Sequence, residues 1–441
     1  MGYQVMKSLT TGKKPEKVIP VNPSKKCIMG LETYPSLINV DGDVDLAVIV
    51  LPAHLVSSSI KECIRKKVKG IILITAGFAE IEDQSGYILQ REVSELANRA
   101  DIPIIGPNCF GIFNVKTGMN ATFNPDFPDT VKEGKVALIS QSGGVAGAIA
   151  FESRTRNIGF SKIISLGNRC NTDFAEMIEY LMDDSDTEVI AMYMEGIDEP
   201  RLLLEALSEF RGKKPVIIYK VGKSKVSDMA SQSHTGSLAG RFDIYMGAFR
   251  QAGVIVVDSI TDLLDVAQAL TCSPLPKDSN VAVLSGQAGL AMIACDVCET
   301  FGMQVNPFSP ETQTKLNRFL PPVTIRTNPV DLGPAWNNMS VVRDAIKVLL
   351  NDKVMSSLLL LFVMSGANED NFSGLSEVFE SVTERKPVLS SILSLPGGKW
   401  ETEIKALEQS GSLVNYPTPE RAARALAGLW EYQRIRNLSE Q

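Results

Sequence analysis

One histidine of this 441-residue chain lies in a setting that suits phosphoryl transfer. His234 belongs to the run Ser231-Gln-Ser-His-Thr-Gly-Ser-Leu-Ala-Gly240, and the chain has only one other histidine. The run offers hydroxyls and backbone N–H groups, which suit a phosphate, and has little apolar side chain to bury. A neutral imidazole in such a loop is a candidate nucleophile for phosphoryl transfer. The alternative is a surface histidine that makes a local hydrogen bond.

A second candidate is a turn between a β-rich run, Val136–Ile139, and a helical pattern, Val145–Ser153. The turn is Ser140-Gln-Ser-Gly-Gly144. Free N–H groups and the dipole at a helix N-terminus favour an anion. The turn has no Gly-Lys-Ser/Thr, so it does not indicate a self-contained ATPase, and an ordinary tight connection remains the alternative. The candidate phosphate-binding residues are Ser142, Gly143 and Gly144.

The elements around these residues alternate between short β-rich runs and amphipathic helical stretches, which predicts parallel α/β architecture. Continuous apolar runs are typical of strands buried on both faces. The first such elements are strands at 45–51, 70–75 and 103–105 and helices at 56–66 and 87–99. Two polar, proline-containing stretches, Phe123–Thr130 and Cys272–Asn280, are interpreted as domain boundaries.

The chain also contains an internal repeat, which predicts two copies of one flavodoxin-like domain. Segments of the first copy match segments of the second in the same order, with loops of different length. The matched pairs are Val136–Ala146 with Val281–Ala291, Ile190–Gly196 with Leu360–Gly366, Lys214–Ile218 with Lys386–Ser390, and Gly253–Val257 with Gly411–Asn415.

The two copies differ where chemistry is expected. Glu195 in the first copy is aligned with Ser365 in the second, and the second copy has no histidine in the loop that corresponds to His234. Open α/β sheets place their sites at the carboxyl ends of strands. A carboxylate that binds one imidazole nitrogen would fix the tautomer and leave the other nitrogen free to attack. The sequence therefore favours a functional pair, Glu195 and His234.

Composition excludes several function classes. The net charge of −7 and the pI near 5.2 argue against a nucleic-acid partner. No apolar run approaches the roughly 18–20 residues that a membrane span needs. The N-terminus lacks the apolar region of a signal peptide. Seven scattered cysteines fit reduced thiols, which predicts a cytoplasmic protein.

Several of these motifs together resemble the α subunit of ADP-forming acetyl-CoA synthetase, within the succinyl-CoA synthetase superfamily. The resemblance covers essentially the whole chain, and its most specific motifs are Gly106–Gly111 and Ser233–Ser237. The motifs are Gly106–Gly111, Ile139–Gly144, Ser165–Asn168, Tyr193–Gly196, Ser233–Ser237 and Tyr416–Glu420.

The resemblance implies three domains and a set of site residues. Residues 1–130 resemble a CoA-binding Rossmann-like domain, residues 131–273 a flavodoxin-like phosphohistidine domain, and residues 281–441 a second flavodoxin-like domain. His234 matches the phosphorylated histidine, and Glu195 matches the carboxylate that steadies it. Positions that match the CoA pocket are Pro52, Ala53, Thr75, Ala76, Gly77, Phe78, Asn108 and Cys109.

The resemblance also implies a reaction and a partner. Acyl-CoA, ADP and phosphate would be interconverted with a carboxylate, CoA and ATP through an acyl phosphate and a phosphohistidine. The ATP-grasp portion that binds ATP or ADP with Mg²⁺ has no counterpart here. A separate ATP-grasp β subunit is therefore expected, in an α2β2 assembly that acts on a small carboxylic acid. No metal site is expected in this chain.

The start of the chain departs from the family pattern. The first strand of the CoA-binding domain and its Gly-rich turn are not found before Gly2–Val5, so the chain is expected to be N-terminally short; the alternative is that CoA binding has degraded. Two other functions are alternatives to the ligase. A non-enzymatic CoA sensor of the same fold would not need the Glu195/His234 pair, and an NAD-dependent oxidoreductase would need a Gly-x-Gly turn in the first domain.

Overall fold

The computed structural model describes residues 1–11, 15–229, 242–364, 374–382, 384–395, 397 and 399–440. The chain divides into two compact units, Met1–Ile260 and Thr261–Gln441. His234 and Ser365, which the sequence singles out, lie outside the described residues. Within the described ranges, no helix has the length and apolar character needed to cross a membrane.

Strands and helices are numbered here in chain order. The strands are β1 (Cys27–Ile28), β2 (Leu31–Glu32), β3 (Leu46–Ile49), β4 (Gly70–Leu73), β5 (Ile104–Ile105), β6 (Gly111–Asn114), β7 (Met119–Thr122), β8 (Glu133–Ser140), β9 (Phe160–Ser165), β10 (Val189–Met194), β11 (Val216–Lys220), β12 (Ile255–Val257), β13 (Val281–Ser285), β14 (Val330–Asp331), β15 (Ser357–Val363), β16 (Val388–Leu393) and β17 (Val414–Asn415). The α-helices are α1 (Gly2–Thr10), α2 (Val56–Lys66), α3 (Gln84–Ala100), α4 (Phe127–Thr130), α5 (Gly143–Glu152), α6 (Phe174–Asp183), α7 (Pro200–Glu209), α8 (Phe242–Gln251), α9 (Ile260–Cys272), α10 (Ala288–Thr300), α11 (Pro310–Phe319), α12 (Met339–Leu350), α13 (Leu375–Glu380), α14 (Lys399–Gln409) and α15 (Pro419–Ser439). Short 3-10 helices cover Leu37–Asn39, Ala53–Leu55, Ser153–Thr155 and Gly333–Asn337.

Unit Met1–Ile260 contains a two-stranded antiparallel ribbon, β1-β2, and its first parallel sheet has the order β3-β4-β5. Strand β4 is buried on both faces, as its continuous apolar run predicts. Ile71 and Leu73 pack with α2 and α3, whereas Ile72 belongs to the core cluster on the other face. Helix α2 has the predicted bounds, and it ends because Lys67 takes the left-handed conformation with φ of 56°.

The second sheet of this unit has the order β12-β11-β10-β8-β9-β6-β7. Its five parallel strands follow the flavodoxin-like order 2-1-3-4-5 when they are counted from β8. Strands β6 and β7 add to the edge in antiparallel fashion. Residues 111–122 thus extend the second sheet, although the sequence groups them with the CoA-binding domain. The three domain boundaries themselves stay a prediction.

Unit Thr261–Gln441 holds one parallel sheet with the order β14-β13-β15-β16-β17. Counted from β13, this order is again 2-1-3-4-5. The two sheets therefore share one topology, and the predicted pair of flavodoxin-like domains is confirmed.

Strand register corrects one residue match of the repeat. Ser140 pairs with Tyr193 in the first copy, and its counterpart Ser285 pairs with Leu361 in the second. Counting on by two residues along each strand makes Val363, not Ser365, the counterpart of Glu195 in the second copy. The alignment from sequence was wrong here because loop lengths differ between the copies, so only hydrogen-bonded pairing fixes the register. The same counting matches Lys220 with Ile392.

A buried ion pair joins two helices of unit Thr261–Gln441. The Asp265 carboxylate, whose side chain is 1% exposed, accepts from Nε and Nη2 of Arg421 at 2.6 and 2.7 Å. The Tyr416 hydroxyl donates to the Asp265 carbonyl at 3.0 Å. The Tyr416–Glu420 motif thus links α15 to α9.

Replacing Arg421 by alanine should destabilise this unit by about 3 kcal/mol, because a buried carboxylate then loses its charged partner. Denaturant unfolding of both proteins measures the difference. Lys277→Ala is the matched control, since it removes the exposed Lys277–Glu384 pair and should cost less than about 1 kcal/mol. Equal losses in the two variants would contradict the assigned role of Arg421.

Candidate active site

A cleft of about 230 Å³ lies within unit Met1–Ile260, where β8 and β10 end. These two strands form the switch point of the 2-1-3-4-5 order, where flavodoxin-like sheets bind their ligands. The cleft brings together residues of the predicted phosphate turn, the predicted CoA pocket and Glu195. Its lining consists of Met1, Ile74, Ala76, Asn108, Cys109, Phe110, Phe123, Gln141, Ser142, Gly143, Gly144, Gly167, Asn168 and Glu195.

The phosphate turn forms the N-terminus of α5. Ser142 is the N-cap residue, and its hydroxyl accepts from the Val145 N–H at 3.4 Å. The Ser140 hydroxyl donates to the Ser142 carbonyl at 2.7 Å and braces the turn. The first N–H groups of an α-helix have no intrahelical acceptor, so those of Gly143 and Gly144 are available to an anion.

The two glycines of this turn differ in their surroundings. A Cβ at Gly143 would lie 2.9 Å from the Phe110 Cβ and 3.3 Å from its backbone nitrogen. A Cβ at Gly144 would have only the Ser142 hydroxyl near it, at 4.0 Å. Gly143 is therefore needed for packing, whereas Gly144 leaves open space over the helix N-terminus.

These surroundings predict opposite effects of alanine at the two positions. Gly143→Ala should lower the free energy of unfolding by about 1–3 kcal/mol, because Phe110 must shift. Gly144→Ala should leave stability within about 1 kcal/mol but weaken phosphate binding at least tenfold, since its methyl group enters the anion's space. Thermal unfolding and phosphate titration of both variants measure the two effects. Unchanged phosphate affinity in a folded Gly144→Ala protein would contradict the site.

Two side chains, those of Gln141 and Lys220, hydrogen-bond to the backbone of Glu195. Its N–H donates to Oε1 of Gln141 at 2.8 Å, and its carbonyl accepts from Nζ of Lys220 at 2.7 Å. The residue is 9% exposed and lines the cleft. Burial raises the pKa of Tyr193, and the nearby Glu195 carboxylate raises it further. Tyr193 therefore remains a neutral neighbour of this carboxylate.

Lys220 is a buried cation at the end of β11, with 6% of its surface exposed. Its ammonium also donates to the Val221 carbonyl and lies 5.0 Å from the ring centre of Tyr245. Burial lowers the pKa of Lys220, while the charges of Asp228 and Glu195 raise it. Ile392 occupies the matching position of the second copy. A buried charge is costly, so its presence in one copy marks this strand end as specialised.

Three of the eight residues predicted for CoA line the cleft, namely Ala76, Asn108 and Cys109. The Asn108 N–H donates to the Thr75 carbonyl at 2.8 Å, which ties the Gly106–Gly111 loop to the end of β4. The Asn108 side chain donates to Oδ1 of Asn168 at 3.3 Å. These contacts set the loop beside the helix N-terminus.

The Cys109 thiol is buried and donates to the Leu73 carbonyl at 3.4 Å. Burial raises its pKa to about 12. The thiol therefore stays protonated near neutral pH, and Cys109 contributes shape to the cleft, not a nucleophile.

The other five predicted residues are not part of the cleft lining. Thr75 is buried and its hydroxyl donates to the Leu51 carbonyl at 2.8 Å. The N–H groups of Gly77 and Phe78 donate to the Glu80 carboxylate, so they are already engaged. Pro52 is exposed, and Ala53 lies 3.3 Å from where a Cβ of Gly77 would be.

Sequence reasoning did not assign a role to Gln141 or Lys220. Both could have been noticed, since Gln141 lies inside the phosphate turn and Lys220 ends an otherwise apolar strand. Both contact the backbone of Glu195 from more than 20 residues away, however, and no local pattern encodes such contacts.

Two family models match this chain. A CoA binding domain covers residues 1–114, and a succinyl-CoA ligase like flavodoxin domain covers residues 133–270. The first of these assigns the β3-β4-β5 sheet to a CoA-binding domain. The second contains the phosphate turn and Glu195.

Full-length similarity extends to named proteins. The α subunit of acetate–CoA ligase [ADP-forming] II from Pyrococcus furiosus is 37% identical, over 97% of this chain and 92% of that protein. Acetate–CoA ligase [ADP-forming] I from Archaeoglobus fulgidus is 36% identical, over 99% of this chain but 61% of that longer protein. The solved dinucleotide forming acetyl-coenzyme A synthetase 1 of Ca. Korarchaeum cryptofilum, in complex with phosphate and ADP, has a TM-score of 0.86 and 30% identity, covering 98% of this chain and 92% of its own. The chain therefore belongs to the ADP-forming acetate–CoA ligase family, with the domains of its α subunit.

Proposed function

We propose that this protein is the α subunit of an ADP-forming acyl-CoA synthetase that works through a phosphohistidine at His234. The observation that supports this best is the cleft itself. It joins the N-terminus of α5, the Glu195 carboxylate and the Asn108 loop of the CoA-binding domain. An anion site, a carboxylate and a CoA-binding wall are what the reaction needs in one place.

The proposed reaction has three displacements. A phosphate oxygen attacks the thioester carbonyl, the C–S bond breaks, and CoA leaves with its thiolate taking a proton. An imidazole nitrogen of His234 then attacks the phosphorus of the acyl phosphate, and the carboxylate leaves. Finally an oxygen of ADP attacks the phosphorus, the P–N bond breaks, and ATP forms.

Residues of the cleft have separate roles in this proposal. The N–H groups of Gly143 and Gly144, with the Ser142 cap, hold the phosphate. Glu195 accepts from one imidazole nitrogen of His234 and offsets the charge that develops on the ring. Ala76, Asn108 and Cys109 shape the wall that receives CoA. CoA, when bound, supplies the thiol that forms the thioester. Pro52, Ala53, Thr75, Gly77 and Phe78 support the strand ends behind that wall.

The nucleotide step is proposed to need a second subunit. Several relatives are named as α subunits, and single-chain relatives are longer than this chain. We propose an ATP-grasp β subunit that carries ATP or ADP with Mg²⁺, in an α2β2 assembly. The acyl substrate is a small carboxylic acid. The cysteines are free thiols, which supports a cytoplasmic location.

Phosphoryl labelling tests the proposal. The chain is incubated with its ATP-grasp partner, Mg²⁺ and ATP labelled at the γ-phosphate, and the modified peptide is mapped by mass spectrometry. An acid-labile, base-stable phosphoryl group on the peptide that contains His234 is expected. A pair that forms ATP from acyl-CoA without such a label would refute the phosphohistidine. A chain that binds acyl-CoA but supports no turnover would favour the non-enzymatic sensor.

A further inference from the structure

Two backbone N–H groups that follow β10 fix the orientation of the Gln141 side-chain amide. Its Oε1 accepts from the N–H of Glu195 at 2.8 Å and from the N–H of Gly196 at 3.1 Å. Rotating the amide by half a turn would set an NH₂ group against two donors. Oε1 must therefore face β10, and Nε2 must face elsewhere.

The Nε2 donor of Gln141 is buried and has no hydrogen-bond partner among the described residues. Gln141 is only 4% exposed, and it lines the cleft beside Ser142, Gly143 and Gly144. A buried donor without a partner costs about 1–3 kcal/mol in the free protein. Buried polar groups of native proteins almost always have a partner, and at the edge of a cleft a ligand oxygen can be that partner.

We infer that Nε2 of Gln141 donates a hydrogen bond to an oxygen of the phosphate held at the N-terminus of α5. The inference rests on the proposed function. It adds a side-chain amide to the helix N–H groups and the Ser142 cap that are proposed to hold the phosphate. The unprotonated oxygens of a phosphate or acyl phosphate are strong acceptors for such a group. Because the same amide holds the N–H of Glu195, Gln141 ties the anion to the residue that orients the histidine.

The second copy has no glutamine at the position of Gln141. Gly286 is the counterpart of Gln141, because the two backbone N–H groups make matching contacts. The Gln141 N–H donates to the Tyr193 carbonyl, and the Gly286 N–H donates to the Leu361 carbonyl, each at 3.1 Å. A Cβ at Gly286 would lie 3.2 Å from Phe362 and 3.3 Å from Trp336. Aromatic side chains thus leave little room for a side chain at this position. The amide that accepts from the Val363 N–H comes instead from the next residue, Gln287, which is half-buried.

Gln141→Glu separates the two functions of the amide. Its carboxylate still accepts from the two backbone N–H groups, but it replaces the Nε2 donor with a negative charge. We expect the Kd for inorganic phosphate, measured by calorimetry, to rise at least about tenfold. The ratio of variant to wild-type Kd should shrink from about pH 8 to about pH 5.5, because burial and the negative charge of the bound phosphate raise the pKa of the introduced carboxyl above its usual value of about 4.3, and the carboxyl then gains a proton that it can donate. A purely structural role for Gln141 would not produce that pH dependence.

Gln287→Glu is the matched control, because the Gln287 amide accepts from the Val363 N–H at 3.2 Å in the second copy. This variant should bind phosphate as the wild type does. A folded Gln141→Glu protein with wild-type phosphate affinity would overturn the inference.

A crystal of the wild-type chain with phosphate provides a test that needs no variant. An oxygen of the bound phosphate should lie within about 3.2 Å of Nε2. Phosphate oxygens that all lie out of reach would also overturn the inference. Failure of the wild type to bind phosphate or to form the phosphohistidine would instead count against the proposed function.

Discussion

His234→Ala is expected to abolish phosphoryl labelling and to lower ligase turnover by about 10⁴-fold or more. The reason is chemical, since the histidine is proposed to form and break the P–N bond, and alanine offers no nucleophile. Phosphate binding should remain within a fewfold of wild type, because the helix N–H groups and Gln141 are retained. Labelling with ATP, coupled turnover and phosphate titration measure the three quantities.

The chain contains its own control for this experiment. His54 lies in the exposed 3-10 helix Ala53–Leu55, and it is the only other histidine. His54→Ala should keep the acid-labile label in full. A label that survives His234→Ala and disappears in His54→Ala would show that His54 carries the phosphoryl group, which would contradict our proposal.

Glu195→Gln is expected to slow phosphorylation of the histidine by about 10²-fold or more. Glutamine has the same shape, and the backbone contacts to Gln141 and Lys220 do not involve the carboxylate. Stability should therefore change by less than about 1 kcal/mol. What is lost is the negative charge that offsets the developing imidazolium. Rapid-quench labelling gives the rate, and thermal unfolding gives the stability.

The control for this change is Glu199→Gln, which alters an exposed carboxylate only four residues away. Its phosphorylation rate should match that of the wild type. If both variants label at the wild-type rate, Glu195 does not orient the histidine. If Glu195→Gln unfolds while Glu199→Gln does not, the Glu195 carboxylate also has a structural role, as the charge beside Lys220 and Tyr193.

Local patterns in the sequence were enough for the fold class and for the phosphate turn. Helix α2 has the predicted bounds because apolar spacing and a left-handed Lys67 act within a few residues. The strand at 45–51 proved shorter, Leu46–Ile49, since the chain turns before Pro52, which has no N–H for a strand ladder. The prediction of an anion site at α5 rests on a strand, a small polar turn and a helix in succession, an order that the structure contains.

The sequence by itself thus determined the α/β class, the repeat, and the residue types available for phosphoryl chemistry. Only the tertiary structure decided that Glu195 matches Val363, and that Gln141 lines the cleft and has a buried Nε2 with no hydrogen-bond partner among the described residues. It also decided that the Cys109 thiol is buried and protonated. Periodicity is a local property that a chain carries in its own order. Register, burial and side-chain orientation depend instead on contacts between residues far apart in sequence, so they exist only once the strands have paired.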